Sequence, residues 1–193
     1  MDYTSNMNIR ANTRDYVMPF ITDLPITTID SIKLQAMVIS ELTGTTSELT
    51  RSTAILASKR CNQLGNVLSK MVQLISMEDA VMAAENIATC SSNVLVGVNA
   101  PLLERSQVLD SDYQQANSLP LDYDTDIEQI WSDLRLFAEY DDFSTETIEK
   151  NRNIYYQQQT ADDISIQVEE TLSMITNVLS YHMNVGQKIE IET

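Results

Sequence analysis

The sequence predicts a mainly α-helical fold, an antiparallel helical bundle followed by one C-terminal β-strand. Apolar residues recur at intervals of three and four over several long stretches, which is the period of a helix packed against other helices. Four glycines and four prolines among 193 residues disfavour an all-β chain with many turns. A hydrophobic content of 43% is enough to bury a core. We therefore expect three regions, an irregular arm or linker at 1–24, the bundle at 25–186 and a strand at 187–193.

The first helix of the predicted bundle follows the arm. Residues 1–24 are polar apart from one short apolar anchor, Met18–Ile21, so no helix is predicted there. Thr27 and Asp30 have the spacing of a capping box, which marks a helix start, and Gly44 has the position of a helix C-terminus. Between them lies an apolar stripe of Ile29, Ile32, Ala36, Ile39 and Leu42.

Residues 50–97 predict two long helices folded into an antiparallel hairpin. Each arm carries one narrow apolar stripe, as in helices that pack on each other. In the first arm the stripe is Ala57, Cys61, Leu64, Leu68, Met71 and Ile75, and in the second it is Ala80, Ala83, Ile87, Cys90 and Val94. Ser76 and Asp79 supply the cap that starts the second arm after the turn.

The two cysteines of the chain lie on these facing stripes. Cys61 is fifteen residues before Ser76 and Cys90 is fourteen after it, so an antiparallel hairpin brings them to nearly the same height. Because the two cysteines lie at the same level of the hairpin and on facing stripes, we predict that they approach closely enough to form a disulfide. The alternative is a pair of buried free thiols that act as small apolar side chains.

The remainder of the bundle is predicted as a long loop and further helices. Pro101 and Pro120 lie within a polar stretch that predicts a loop at 98–124. Helices are predicted at 125–140 and 160–183, with a less regular helix between them at 144–159. The apolar side of the last helix is Val168, Leu172, Ile175, Leu179 and His182, and Gly186 is predicted to end it. Polar and apolar residues alternate over 187–193, which predicts a strand that pairs within a following or adjacent β domain.

Few residues suggest a chemical site. Asp122, Asp124 and Asp126 resemble the start of a calcium loop, but the glycine at position six and the glutamate at position twelve are missing. His182, the single histidine, lacks the companions that a metal site or a catalytic triad needs, so we expect it to pack against the bundle. We predict neither an enzyme nor a bound cofactor.

Charge and hydropathy exclude several classes of partner. The net charge of −16 provides none of the basic footprint that nucleic acid requires. No run of 18 apolar residues is present, so direct membrane insertion of this segment is not expected. The N-terminus lacks the apolar region of a signal peptide, so a secreted protein would carry its signal upstream.

Six segments of the chain have the helical pattern of a known family, namely Ser47–Arg51, Leu64–Leu68, Ser76–Ala80, Ala84–Ile87, Thr171–Leu179 and Gly186–Thr193. Together they resemble the helical subdomain of a GAIN (autoproteolysis-inducing) domain, in the version found in polycystin and receptor-for-egg-jelly proteins. The resemblance implies that the helices precede a β-sandwich whose first strand would be the end of this chain. It also implies an extracellular fragment of a membrane-tethered receptor. The self-cleavage site of the family lies in its β part, so no catalytic residue is carried onto this chain.

Two functional hypotheses follow. The first is a non-catalytic extracellular module of a polycystin-like receptor, whose partner is the adjacent β domain of the same protein or another protein subunit. The second is an intracellular, cytoplasmic adaptor, an acidic helical bundle that binds partner helices in a groove. The state of the cysteines separates them, because disulfides persist in oxidising compartments.

Overall fold

The computed structural model describes the backbone of residues 3–99 and 145–191 and the side chains of residues 6–98 and 160–184. Within these ranges the chain forms five α-helices and no strand, so the prediction of a mainly helical bundle is confirmed. The helices are α1 (Tyr3–Thr22), α2 (Ile29–Thr43), α3 (Arg51–Met71), α4 (Met77–Asn99) and α5 (Thr145–Ile191), and a short 3₁₀ turn, Thr46–Glu48, precedes α3.

The chain divides into two compact units, Pro101–Thr160 and the remainder. The larger unit contains α1 to α4 together with α5 from Ala161 onward, and the bundle described below is this unit. Of the smaller unit, the described residues are 145–160, the first turns of α5.

The directions of the helices alternate from α1 to α4. The hairpin of α3 and α4 is antiparallel, and α4 also packs against α2. Lys33 contacts Asp79 near the starts of α2 and α4, and Asn93 contacts the carbonyl of Ser40 further along both helices, so these two run parallel. In α5, Gln167 contacts Ser58 and Met174 lies beside Gly65 of α3. The two contacts are seven residues apart in each helix and follow in the same order, so α5 runs parallel to α3.

The core is built from the stripes that the sequence predicts for the hairpin. Ala57, Cys61, Leu64 and Leu68 of α3 are fully buried, and so are Ala80, Ala83, Ile87, Cys90 and Val94 of α4. Met71 and Ile75 are partly buried and pack against the same cluster. In α2 the predicted stripe is also confirmed, since its central residues Ile32, Ala36 and Ile39 are fully buried.

The prediction of an irregular arm at residues 1–24 is wrong, because Tyr3–Thr22 is the helix α1. The apolar signal is sparse there: only Ala11 and Met18 of the described side chains in α1 are apolar and fully buried. On the side of α1 that faces the bundle, Met7, Ala11, Met18 and Ile21 have the spacing of an apolar stripe. Arg14 occupies the middle position of that stripe, so the apolar period is interrupted.

Two helix starts differ from the predicted ones by a short distance. The N-cap of α2 is Thr28, whose hydroxyl accepts from the backbone N–H of Ser31, so the capping box is shifted by one residue from Thr27 and Asp30. The helix α3 starts at Arg51, and its N-cap is Thr50. The helix α2 otherwise occupies its predicted range, whereas α3 ends at Met71, four residues before the end of the predicted stripe at Ile75.

The helix α5 is longer than predicted. It continues without a break from Thr145 to Ile191, through the predicted boundary at Thr160, past Gly186 and through the first five residues of the predicted strand at 187–193. The strand is therefore not confirmed. A helix satisfies its own backbone hydrogen bonds, whereas a strand needs a neighbour that the described residues do not contain. The buried stripe is Ile164, Val168, Thr171, Ile175 and Val178, whereas Leu172 is exposed.

By length and composition alone, Met77–Val98 could cross a membrane, with a mean hydropathy of 1.2. Core helices of soluble bundles also meet this criterion. The apolar side of this helix is accounted for by its packing against α2 and α3, where its stripe is buried.

Candidate functional site

The candidate site is the α3–α4 hairpin and the disulfide inside it. Cys61 and Cys90 form a disulfide bond, with their Cα atoms 7.0 Å apart, and both side chains are fully buried. The predicted pairing is confirmed, and the alternative of two free thiols is not what the structure shows. The bond joins residues 29 positions apart across the hairpin, so the two helices cannot separate at this level while it is intact.

The turn of the hairpin is fixed by a cap and an ion pair. The Ser76 hydroxyl accepts from the backbone N–H of Asp79 at 3.1 Å and donates to its carboxylate at 2.8 Å, which confirms the predicted cap. Lys33 of α2 donates to the same carboxylate at 2.7 Å. This hydrogen bond, together with that from Ser76, lowers the pKa of Asp79, and it raises the pKa of Lys33. The start of α4 is thereby tied to α2.

A buried arginine, which the sequence analysis did not identify, connects α3 to the link between α1 and α2. Arg60 is 5% exposed, and its guanidinium donates to the side-chain oxygen of Gln35 and to the backbone carbonyl of Leu24. The Nη1 atom of Arg60 also donates to the side-chain oxygen of Gln63 at 2.8 Å. Burial lowers the pKa of Arg60, and the charge of Asp23 partly opposes this. Arg60 lies three residues after Ala57 of the buried stripe, which is the signal that could have placed it inside.

A second polar cluster, which we call the Glu48 latch, holds α1 on the bundle. Glu48 is 3% exposed and accepts hydrogen bonds from Arg10 and Arg14, one turn apart on α1. The hydrogen bond from Arg10 is the main cause that lowers the pKa of Glu48, and Arg14 lowers it further. No partner is predicted for Glu48 from the sequence. Its pairing with residues more than thirty positions earlier leaves no local signal.

Polar contacts and a glycine join α5 to α3. The Ser58 hydroxyl donates to the side-chain oxygen of Gln167 at 2.9 Å, and Asn62 donates to Glu170 at 3.3 Å. At Gly65 an added Cβ would lie 3.5 Å from Thr171, an ordinary van der Waals distance. The helices thus pack closely at this glycine without excluding a methyl group.

Of the remaining predicted site residues, the structure describes His182. Asp122, Asp124 and Asp126 lie outside the described residues, as does the helix predicted at 125–140. Of the loop predicted at 98–124, the first two positions are instead the end of α4, and the rest lies outside the described residues. His182 is half-buried on α5, where its ring lies edge-on to Tyr181 with centroids 5.5 Å apart. Its Nε2 atom is buried without a hydrogen-bond partner. Within the described ranges, no group of three His, Cys, Asp or Glu side chains could hold a metal ion. That the chain is not an enzyme stays a prediction.

No family model, no curated protein and no solved structure matches the chain. The resemblance to the GAIN helical subdomain therefore rests on the six segments of the sequence alone.

Proposed function

We propose that the chain is a non-catalytic helical module on the extracellular face of a membrane-tethered, polycystin-like receptor, with a structural and interaction role. The observation that supports this is the buried Cys61–Cys90 disulfide. Disulfides persist in secreted and cell-surface proteins and are rare in the reducing cytosol, so a structural bridge in the core favours an oxidising compartment.

In this proposal the module acts mechanically. The disulfide keeps α3 and α4 side by side, and Arg60 and the Glu48 latch hold the surrounding helices on this hairpin. Such a bundle presents a fixed surface to the adjacent β domain of the same protein or to another subunit. The net charge of −16 favours a partner whose contact surface is basic.

Location is the direct test of the proposal. The protein is epitope-tagged in its source cells, and the tag is labelled with an antibody before and after permeabilisation. We expect labelling of intact cells. A Cys61→Ala/Cys90→Ala double variant should reach the surface in smaller amounts, because secretory quality control retains destabilised proteins. Labelling that requires permeabilisation, at equal levels for both proteins, would contradict the extracellular proposal and favour the cytoplasmic adaptor.

The family-level part of the proposal has a separate test. Chemical crosslinking of the protein at the surface of its source cells, followed by mass spectrometry, should link the bundle to a β domain. Crosslinks only to helical partners would contradict the polycystin-like assignment and leave the extracellular location untouched.

A further inference from the structure

Buried polar contacts are part of what holds α1 on the bundle. In α1, Arg10 and Arg14 reach the buried carboxylate of Glu48, which precedes α3. The apolar contacts of this helix include the fully buried Ala11 and Met18 and, near its C-terminal end, the partly buried Ile21. Of these, Ala11 contributes little area. The attachment of α1 before Met18 therefore depends on the charge of the Glu48 carboxylate in addition to apolar burial.

A second set of polar contacts extends the Glu48 latch toward the start of α3. The Asp15 carboxylate of α1 accepts hydrogen bonds from the hydroxyls of Thr50 and Thr53. Thr50 is also the N-cap of α3, because its hydroxyl accepts from the backbone N–H of Thr53. Glu48, Thr50 and Thr53 are each at most 3% exposed. They form a polar surface that is closed to solvent while α1 is in place.

The helix α1 is a poor helix by its own sequence. Pro19 lies inside it and cannot donate to the carbonyl of Asp15, one turn earlier. The first turn of α1 has no acidic residue and its last turn has no basic residue, the residue types that would stabilise those turns through the helix dipole. Asparagine occurs at Asn6, Asn8 and Asn12, and it has low helix propensity. An isolated segment of this length and composition is not stable as a helix in water.

The C-terminal end of α1 is anchored independently of the Glu48 latch. Arg60 donates to the carbonyl of Leu24, and the Gln35 side chain donates to the carbonyl of Pro25 at 2.9 Å. Both carbonyls belong to the link between α1 and α2. The link therefore stays on the bundle when the rest of α1 separates, and it acts as a fixed hinge.

From this arrangement we propose that α1 is a releasable strap, a helix that stays folded and docked only while Glu48 holds Arg10 and Arg14. When these ion pairs are lost, α1 becomes an irregular arm attached at the Leu24–Pro25 hinge. Its release uncovers Glu48, Thr50 and Thr53, and leaves the disulfide-bridged hairpin folded. The uncovered carboxylate and hydroxyls suit a partner that brings its own guanidinium or ammonium group to replace those of α1. This proposal does not depend on the cellular location of the protein.

Hydrogen exchange of backbone amides tests the strap. The variant Glu48→Gln removes the charge and keeps the shape, and Glu41→Gln on the exposed side of α2 is the matched control. We expect exchange in residues 6–20 to accelerate in Glu48→Gln on the order of tenfold or more, while residues 57–68 of α3 keep the rates of the parent. The control should match the parent in both segments.

Two results would overturn the proposal. One is equal acceleration in α1 and α3 of Glu48→Gln, which would mean that α1 opens only when the whole bundle unfolds. The other is unchanged exchange in α1, which would mean that the charge of Glu48 does not hold it. If Glu48→Gln fails to fold, Arg10→Gln provides the milder change. Arg10 is partly exposed, with 47% of its side-chain surface accessible. For this variant we expect faster exchange in α1 alone, and acceleration in both segments or in neither again overturns the proposal.

Discussion

Loss of the Cys61–Cys90 bridge is expected to destabilise the bundle by about 3–4 kcal/mol. The bond closes a loop across 29 positions, and the chain-entropy relation gives this amount for a loop of that length. Reduction of the parent protein removes only the bond and keeps both sulfur atoms. The double variant Cys61→Ala/Cys90→Ala also removes two buried sulfur atoms, so it should lose about 1 kcal/mol more for each.

The free energy of unfolding is measured by urea titration, followed by the helical circular dichroism signal. Three proteins are compared: the oxidised parent, the parent reduced in urea and refolded with reductant, and the double variant. Because the chain divides into two compact units, hydrogen exchange in α3 and α4 identifies the transition that belongs to the hairpin. Equal urea midpoints for the oxidised and reduced parent would refute the reasoning, since the bridge would then contribute nothing to the stability of the fold.

Three further changes test other parts of the structure. Gly65→Ala should stabilise the protein by about 0.5–1 kcal/mol in urea unfolding, because the added methyl group fits at an ordinary contact distance and alanine is the better helix former. A loss of stability would contradict this and show that α5 packs more tightly against Gly65. Arg60→Ala should destabilise the protein by about 2–4 kcal/mol, because the side chain of Gln35 and the carbonyl of Leu24 lose a buried charged donor. A loss of less than about 1 kcal/mol in the free energy of unfolding would contradict this. The third concerns pH. The folded-state pKa of Glu48 lies below its ordinary value of 4.5, so its stabilising effect is complete above that value and is lost as the pH falls through the lower folded-state pKa. The difference in unfolding free energy between the parent and Glu48→Gln should therefore shrink between pH 7 and pH 3, and a constant difference would refute the role of the charge.

The hairpin and its disulfide could be predicted from the sequence because local rules determine both. A stripe with spacings of three and four defines the buried face of each helix, and the distance from Ser76 defines the height of each cysteine. The pairing of Cys61 with Cys90 therefore follows from residue spacings that can be counted along the chain. The same rule predicted the core of α2, where Ile32, Ala36 and Ile39 are buried.

The helix α1 and the polar clusters could not be predicted in this way. Their partners are distant in sequence: Arg14 pairs with Glu48, and Arg60 reaches Leu24. On the buried face of α1 the charged Arg14 interrupts the apolar spacing between Ala11 and Met18, which leaves too short a stripe on either side to predict a helix. In α5 the sequence instead predicts a helix start where the structure has none. Thr160 with Asp163 has the form of a helix start, yet it lies inside one continuous helix because tertiary packing overrides a local capping signal.

The extracellular function proposed for this chain depends most directly on the oxidation state of Cys61 and Cys90 in cells. The protein is isolated from its source cells under denaturing conditions with an alkylating reagent present, and its intact mass is measured with and without prior reduction. We predict that two alkyl groups add only after reduction, because the two cysteines are bonded to each other. Addition of two alkyl groups without reductant would contradict the bridge in the native protein, and with it the extracellular function that we propose.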